Sequence, residues 1–136
     1  MQTQYRLIYD STAKPWEELI KKGKHAPYSR YAEVLLLASE NYLRTGNIQT
    51  AVTCLNQLRI RNNRTPATTG LAISLIEDMI LEEYQHDMEK EGLYFFALKR
   101  FGKAETVLGI ESFRLLLPIP VQEINSIPNM TQNTGY

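Results

Sequence analysis

The sequence lacks several features that would assign it to a functional class. Its 136 residues contain one cysteine, Cys54, so no internal disulfide can form. Fifteen basic and fifteen acidic side chains cancel, which leaves no overall field to attract nucleic acid or an anionic membrane. The longest apolar run, from Leu93 to Leu98, is far too short to cross a bilayer, and no signal peptide is recognisable after Met1. These absences predict one soluble domain.

Motifs for catalysis and for cofactor binding are also missing. The sequence contains no phosphate-binding Gly-Lys-Ser/Thr loop, no Gly-x-Gly-x-x-Gly and no Gly-x-Ser-x-Gly. Glu82, Glu83 and His86 form one Glu-x-x-His pattern, but a di-metal helical bundle needs that pattern twice with further carboxylates. A solvated helix face therefore explains the pattern better than a metal site. We expect no catalytic residue, no metal and no cofactor, and we predict that the chain is not an enzyme.

A small basic cluster comprises Arg59, Arg61 and Arg64. Such a cluster can contact phosphate, but it lies where a helix is expected to end. Basic side chains at that position stabilise the negative end of the helix dipole. We therefore predict a structural role for the cluster and no nucleic-acid partner.

Two amphipathic helices are predicted between residues 31 and 61. Apolar residues recur at helical spacing from Tyr31 to Arg44 and again from Ile48 to about Arg61. Gly46 is suited to end the first helix and Asn47 to cap the second. The first helix is expected to bury a face that holds Tyr31, Val34, Leu35, Ala38 and Tyr42. The predicted core joins Leu35, Ala38, Tyr42, Ala51, Leu55 and Leu58.

The spacing of these residues is also typical of tetratricopeptide helix pairs. The slots of that repeat are filled or nearly filled by Leu35, Ala38, Ser39, Tyr42, Ala51, Leu55 and Pro66. Small side chains at Ser39 and Ala51 would let the two backbones approach, with Tyr42 wedged between the helices. A generic helical hairpin explains the same spacing, so both interpretations stay open at this point.

Signals for further elements flank this pair. Ser74 and Glu77 have the spacing of a capping box for a third helix that ends near Glu91. After Gly92, a shorter helix is expected from Leu93 to Phe101, and Pro120 is expected to start a short turn over residues 121–124. At the other end, Tyr5–Tyr9 is compatible with a short strand, and Pro15–Lys22 predicts a short helix followed by a connector.

Three blocks of this sequence resemble the SusD/RagB family. The first runs from Arg30 to Leu36 and continues in Leu55–Arg59. The second holds the matching residues Glu83, Glu91, Gly92, Leu98, Arg100 and Gly102. The third is the tail, with Pro-Ile-Pro at 118–120, Glu-Ile at 123–124 and Gln-Asn-x-Gly-Tyr at 132–136. The chain departs from the family pattern at Tyr84, Tyr94 and Ala97, where the family usually has arginine, arginine and aspartate.

The resemblance implies both a fold and a function. It implies an all-α fold of tetratricopeptide-like helix pairs with an irregular Pro/Asn-rich tail, divided into a variable N-terminal segment (1–30) and a C-terminal helical domain (31–136). Members are surface lipoproteins of Bacteroidota outer membranes that capture glycans for a TonB-dependent, SusC-like transporter. They are several times longer than this chain, which therefore resembles their C-terminal portion. Cys54 lies mid-helix and does not match the lipid-bearing cysteine.

A sugar site would need aromatic rings presented flat beside polar groups. Trp16, the only tryptophan, is the best glycan-binding candidate because it lies outside the packed helical pattern. The alternative is that its ring caps the helix pair, and Tyr28 and Tyr94 are weaker candidates. The function that the resemblance implies is glycan capture within an outer-membrane uptake system. The alternative is a helical-repeat interaction module with no sugar site of its own.

Overall fold

The computed structural model of the chain describes residues 29–136. Within that range every regular element is helical, which confirms the predicted all-α class. Its helices are α1 (Tyr31–Arg44), α2 (Ile48–Arg61), α3 (Ile73–Met88), α4 (Leu93–Arg100), α5 (Ala104–Leu108) and α6 (Val121–Ser126), with 3-10 turns at Glu89–Glu91 and Ser112–Leu115. The predicted strand at Tyr5–Tyr9 and the predicted helix at Pro15–Lys22 lie outside the described residues.

Helices α1 and α2 form a tight antiparallel hairpin, as the sequence predicts. Gly46 has a φ of 80°, a left-handed conformation that glycine adopts without steric cost and that reverses the chain after α1. The side chain of Asn47 then caps α2 by accepting a hydrogen bond from the backbone N–H of Thr50 at 3.2 Å. Between the helices, the hydroxyl of Ser39 donates to the carbonyl of Ala51 at 2.9 Å. This bond confirms the close approach that the two small residues predict.

The core lies where α1, α2 and α3 meet and is completed by α4. Leu35, Ala51, Leu55 and Leu58 are buried, as predicted. Further buried side chains come from all four helices and include Ala32, Leu36, Leu43, Val52, Ile76, Ile80, Tyr84, Met88 and Leu98. The observed contacts between α1 and α3 and between α3 and α4 join the hairpin and the later helices into one core.

The predicted orientation of α1 is partly wrong. Tyr42 is 36% exposed and does not wedge between the helices, and Tyr31 and Val34 are more exposed still. Ala38 is half-buried. Apolar residues on α1 occupy two neighbouring stripes, and the core takes the stripe that also contains Ala32, Leu36, Ser39 and Leu43. Sequence periodicity located the amphipathic helix, but only Leu35 of the five residues that it assigned to the buried face is buried.

The start of α3 also differs from the prediction. The carbonyl of Ala72 accepts hydrogen bonds from the N–H groups of Leu75 and Ile76 at 3.0 and 3.2 Å, so the helix begins at Ile73. Ser74 consequently lies inside the first turn of α3 and does not act as its N-cap, contrary to the prediction. The other end of α3 follows the prediction. The helix is followed by the 3-10 turn, and Gly92, with a φ of 76°, then separates this turn from α4.

The remainder of the chain is mostly irregular. The turn predicted over residues 121–124 is a short helix, α6, that extends to Ser126. The residues on either side of it form a tail whose backbone is held by side chains. Among the described residues, no helix combines the length and the apolar character needed to span a membrane.

Candidate functional site

A cluster of charged residues joins α2 to α3. Glu83 is fully buried, and its carboxylate lies 3.2 Å from Nη1 of Arg59, itself almost completely buried. The same nitrogen of Arg59 donates to Glu82 at 2.9 Å, and the amide of Asn62 donates to Glu83 at 2.8 Å. Arg64 lies 3.3 Å from Glu83. We call these residues the Glu83 clamp, and they connect two helices through a carboxylate that water does not reach.

The Glu83 clamp extends one prediction and corrects another. Arg59 and Arg61 lie in the last turn of α2, as predicted. In addition, Arg59 and Arg64 are paired with acidic residues of α3, and Arg61 with Asp87 at 2.5 Å. The Glu-x-x-His pattern was expected on a solvated face, yet its second glutamate, Glu83, is buried. Sequence periodicity cannot find such partners, because they come from a different helix.

A second charged cluster joins α1 to α4. Arg100 donates to both carboxylate oxygens of Glu40, at 3.1 and 2.9 Å, in a forked arrangement. The same guanidinium donates to the hydroxyl of Tyr84 at 3.2 Å and lies over its ring. Arg44 also contacts Glu40 and donates to the backbone carbonyl of Arg100 at 2.9 Å. We call this the Glu40 clamp.

Burial gives Tyr84 unusual acid–base behaviour. Desolvation raises its pKa to about 12, because the phenolate would be charged in an apolar setting, although the nearby Arg100 opposes the shift. The hydrogen bond to Glu40 raises the pKa of Arg100 further. Both residues therefore keep one protonation state at physiological pH. Such a pair supports structure and offers no group poised for proton transfer.

A third cluster joins the start of α1 to the end of α3. Arg30 forms an ion pair with Glu91 and donates to the backbone carbonyl of Asp87 at 2.5 Å and to the sulfur of Met88 at 3.0 Å. We call this the Glu91 clamp. Each of the three clamps thus uses an arginine and a carboxylate from different elements to fix the relative positions of the helices.

The C-terminal tail folds back on the segment that follows α5. The ring of Tyr136 packs edge-on against Phe113 at a centroid distance of 5.1 Å, and its hydroxyl donates to the carbonyl of Leu116 at 2.8 Å. Gly135 has a φ of 100°, and a Cβ at this position would lie 2.4 Å from the Phe113 ring. Only glycine fits this place without displacing the aromatic pair.

Two amide side chains complete this fold-back. Gln132 accepts from the N–H of Ile119 at 2.8 Å and donates to its carbonyl at 2.9 Å, so it satisfies both backbone groups between the two prolines. Asn133 donates to the carbonyl of Leu117 at 2.7 Å. The Gln-Asn-x-Gly-Tyr ending therefore holds the Pro-Ile-Pro segment in place, which gives both motifs a structural purpose.

Of the residues predicted from the sequence to bind sugar, only Tyr94 lies in the described part of the chain. Trp16 and Tyr28 lie outside the described residues. Tyr94 is half-buried and packs against the hydrophobic core, so its ring is not presented flat to solvent. The described residues contain no group of three or more histidine, cysteine, aspartate or glutamate side chains placed to hold a metal ion.

One exposed surface was missed by the sequence analysis. On α1, Tyr31 is 69% exposed and Val34 52% exposed, and with Ala38 and Tyr42 they form a stripe along the helix. The hydroxyl of Tyr31 donates to the side chain of Gln57 on α2 at 3.2 Å, which places α2 along the border of this stripe. We call the four α1 residues the α1 stripe. None of them is charged.

Comparison with known proteins agrees with the resemblance found in the sequence. A model of the SusD family matches residues 4–112. The chain is 29% identical over 141 residues to the starch-binding protein SusD of Bacteroides thetaiotaomicron. This alignment covers 94% of the chain and 24% of that protein. It is 27% identical over 119 residues to the SusD-like protein P38 of Formosa agariphila, covering 79% of the chain and 24% of that protein. No solved structure gives a significant match.

Three observations agree. The clamps and the tail use the motif residues that resemble the family, the family model covers most of the chain, and the curated relatives match it over most of its length. The chain spans about a quarter of those relatives. It belongs to the SusD family.

Proposed function

We propose that this chain forms the C-terminal helical scaffold of a SusD-like glycan-binding receptor at the outer-membrane surface, which works with a TonB-dependent, SusC-like transporter. In this proposal, residues 31–136 are the scaffold domain, residues 1–30 are a variable segment, and the chain has no sugar site of its own. One observation carries the proposal. Glu83, Glu91 and Arg100, which match the family motifs, are engaged in the clamps.

The clamp residues are poorly suited to bind a ligand. A sugar-binding carboxylate must have oxygens free to accept hydroxyl hydrogen bonds, yet Glu83 is completely buried and has three partners. Arg100 is held by both oxygens of Glu40. If either side chain left its partner to contact a sugar, the partner's charge in the clamp would remain without a counter-charge. The motif charges therefore support the shape of the domain.

The glycan part of the proposal rests on the relatives. The name of the Bacteroides protein states that it binds starch, and SusD-family proteins are non-catalytic binding proteins. Family membership thus supports the prediction that this chain is not an enzyme. Glycan capture, the position on the cell surface and the pairing with a transporter are parts of the proposal.

A helical-repeat interaction module is the second candidate function. The uncharged α1 stripe favours it, because depletion of charge is typical of the centre of a protein interface. Both candidates share the scaffold, and they differ in whether the scaffold serves a glycan receptor.

A chimera separates the two candidates. The segment of the Bacteroides starch-binding protein that aligns with residues 29–136 would be replaced by those residues, and starch binding measured by affinity electrophoresis. If this chain is a receptor scaffold, the chimera should fold and keep its starch binding. A folded chimera that has lost starch binding would contradict the proposal. A chimera with Glu83→Ala is the control, since loss of the clamp should reduce its thermal stability.

A further inference from the structure

The C-terminal tail lies outside the hydrophobic core. Ala104 is the last buried residue of the core, and Leu115 is the last apolar residue that packs against it. None of residues 116–136 is buried. A segment that buries so little apolar surface gains little stability from packing, so its shape depends on its hydrogen bonds and ring contacts. These contacts therefore decide whether the tail is open or closed.

Three side chains close the tail onto one short segment. The amides of Gln132 and Asn133 and the hydroxyl of Tyr136 form hydrogen bonds with backbone groups of residues 116–119, at distances between 2.7 and 2.9 Å. Residues 120–131 consequently form a loop whose two ends meet, an arrangement known as an Ω-loop. Side chains of the tail thus occupy backbone groups that a neighbouring strand would occupy in a sheet.

The three closing residues are also bonded to each other. Oε1 of Gln132 accepts a hydrogen bond from the backbone N–H of Asn133 at 2.9 Å, in addition to the one from Ile119. The carbonyl of Asn133 in turn accepts from the N–H of Tyr136 at 3.2 Å. Each residue therefore holds the next one in the position that its own contact with the segment requires.

From these linked contacts, we propose that Gln132, Asn133 and Tyr136 form a single lock, and that residues 116–136 open and close as one unit while the helical core stays folded. We call the three residues the tail lock. Local opening of this kind occurs where few side chains are buried and the hydrogen bonds lie near the surface. Opening uncovers the ring of Phe113, which packs against Tyr136 in the closed form. The tail lock uses none of the clamp residues, so this opening is independent of the proposed scaffold function.

Amide hydrogen exchange of the complete chain, followed by nuclear magnetic resonance, measures the opening at single residues. In Gln132→Ala the amide of Ile119 should exchange about tenfold faster, because the variant loses two hydrogen bonds to Ile119. Tyr136→Ala should also accelerate exchange of this amide, although the hydroxyl and the ring of Tyr136 contact Leu116 and Phe113. This response at a distance is the sign of a single lock.

Two controls accompany these variants. Gln122→Ala replaces an exposed amide on α6, within the same loop, and should leave the exchange of Ile119 unchanged. The amide of Leu55, a fully buried residue of α2, should exchange at the same rate in every variant.

Four results would overturn the tail lock. If Ile119 responds to Gln132→Ala but not to Tyr136→Ala, the contacts are separate and form no single lock. If Gln132→Ala leaves the exchange of Ile119 unchanged, or Gln122→Ala accelerates it equally, the Gln132 side chain does not hold the tail closed. If Gln132→Ala accelerates Leu55 as much as Ile119, or lowers the native helix content, the tail opens only when the core unfolds.

Discussion

The Glu83 clamp allows burial to be tested separately from charge pairing. Glu82 and Glu83 are adjacent carboxylates that contact the same two arginines, Arg59 and Arg64. The Glu82 side chain is 48% exposed, whereas that of Glu83 is completely buried. Replacing each in turn by alanine therefore removes the same kind of contact from two different environments.

The expected cost of each substitution follows from the structure. Glu83→Ala leaves the almost buried guanidinium of Arg59 with the half-exposed Glu82 as its remaining charged partner, beside the carbonyl of Thr65. It also removes the nearer of the two acceptors of Asn62. Breaking a buried pair in this way costs about 3–5 kcal/mol of unfolding free energy. Glu82→Ala removes a screened surface pair and should cost about 1 kcal/mol or less. A domain of this size is stable by about 5–15 kcal/mol, so only Glu83→Ala brings it near the limit of folding.

Urea unfolding followed by far-ultraviolet circular dichroism measures both variants. We expect the midpoint of Glu83→Ala to fall well below that of Glu82→Ala. A smaller loss for the double variant with Arg59→Met than for Glu83→Ala alone would confirm that the orphaned charge causes the cost. Equal losses of about 1 kcal/mol or less for the two single variants would refute the reasoning, since Glu83 would then behave as a surface residue.

Three further predictions follow from the core and the clamps. Leu55→Ala should cost about 2–5 kcal/mol in urea unfolding, and Tyr42→Ala much less, because only Leu55 is fully buried. Because the pKa of Tyr84 is raised, the stability that its neutral hydroxyl contributes is complete below pH 10 and is lost as the pH rises towards 12. In thermal melts over this pH range, Tyr84→Phe should lose less stability than the unchanged chain. Tyr94→Arg should lower the melting temperature and added Ala97→Asp should recover much of it, whereas additive effects would show uncoupled positions.

The helices were predictable because their signals are local. The left-handed glycines, the Asn47 cap and the apolar spacing of α2 all act within a few residues, and the structure confirms them. The buried side of α1 was less predictable, because two adjacent stripes both carry apolar residues. Packing against α2 and α3 decides between them, and a sequence pattern does not show which side those helices will cover.

The clamps were not predictable, because their partners are distant in sequence. Glu83 pairs with a residue 24 positions away and Glu40 with one 60 positions away. On a helical wheel, a glutamate beside polar residues indicates a face exposed to solvent. The sequence analysis therefore placed Glu83 on an exposed face, although its side chain is buried. The resemblance to a family marked Glu83 and Arg100 as motif residues but gave them no role. The structure supplies that role through their ion pairs.

Calorimetric titration of the complete chain with oligosaccharides tests the central claim most directly. The claim is that this chain is a clamped scaffold without a sugar site of its own. A panel of plant, host and fungal oligosaccharides, including starch fragments, should give no heat beyond dilution, because a sugar site needs several convergent polar groups in a concavity. The variant Trp16→Ala should behave in the same way. Micromolar binding of any oligosaccharide that Trp16→Ala abolishes would contradict the claim and place the site within this chain.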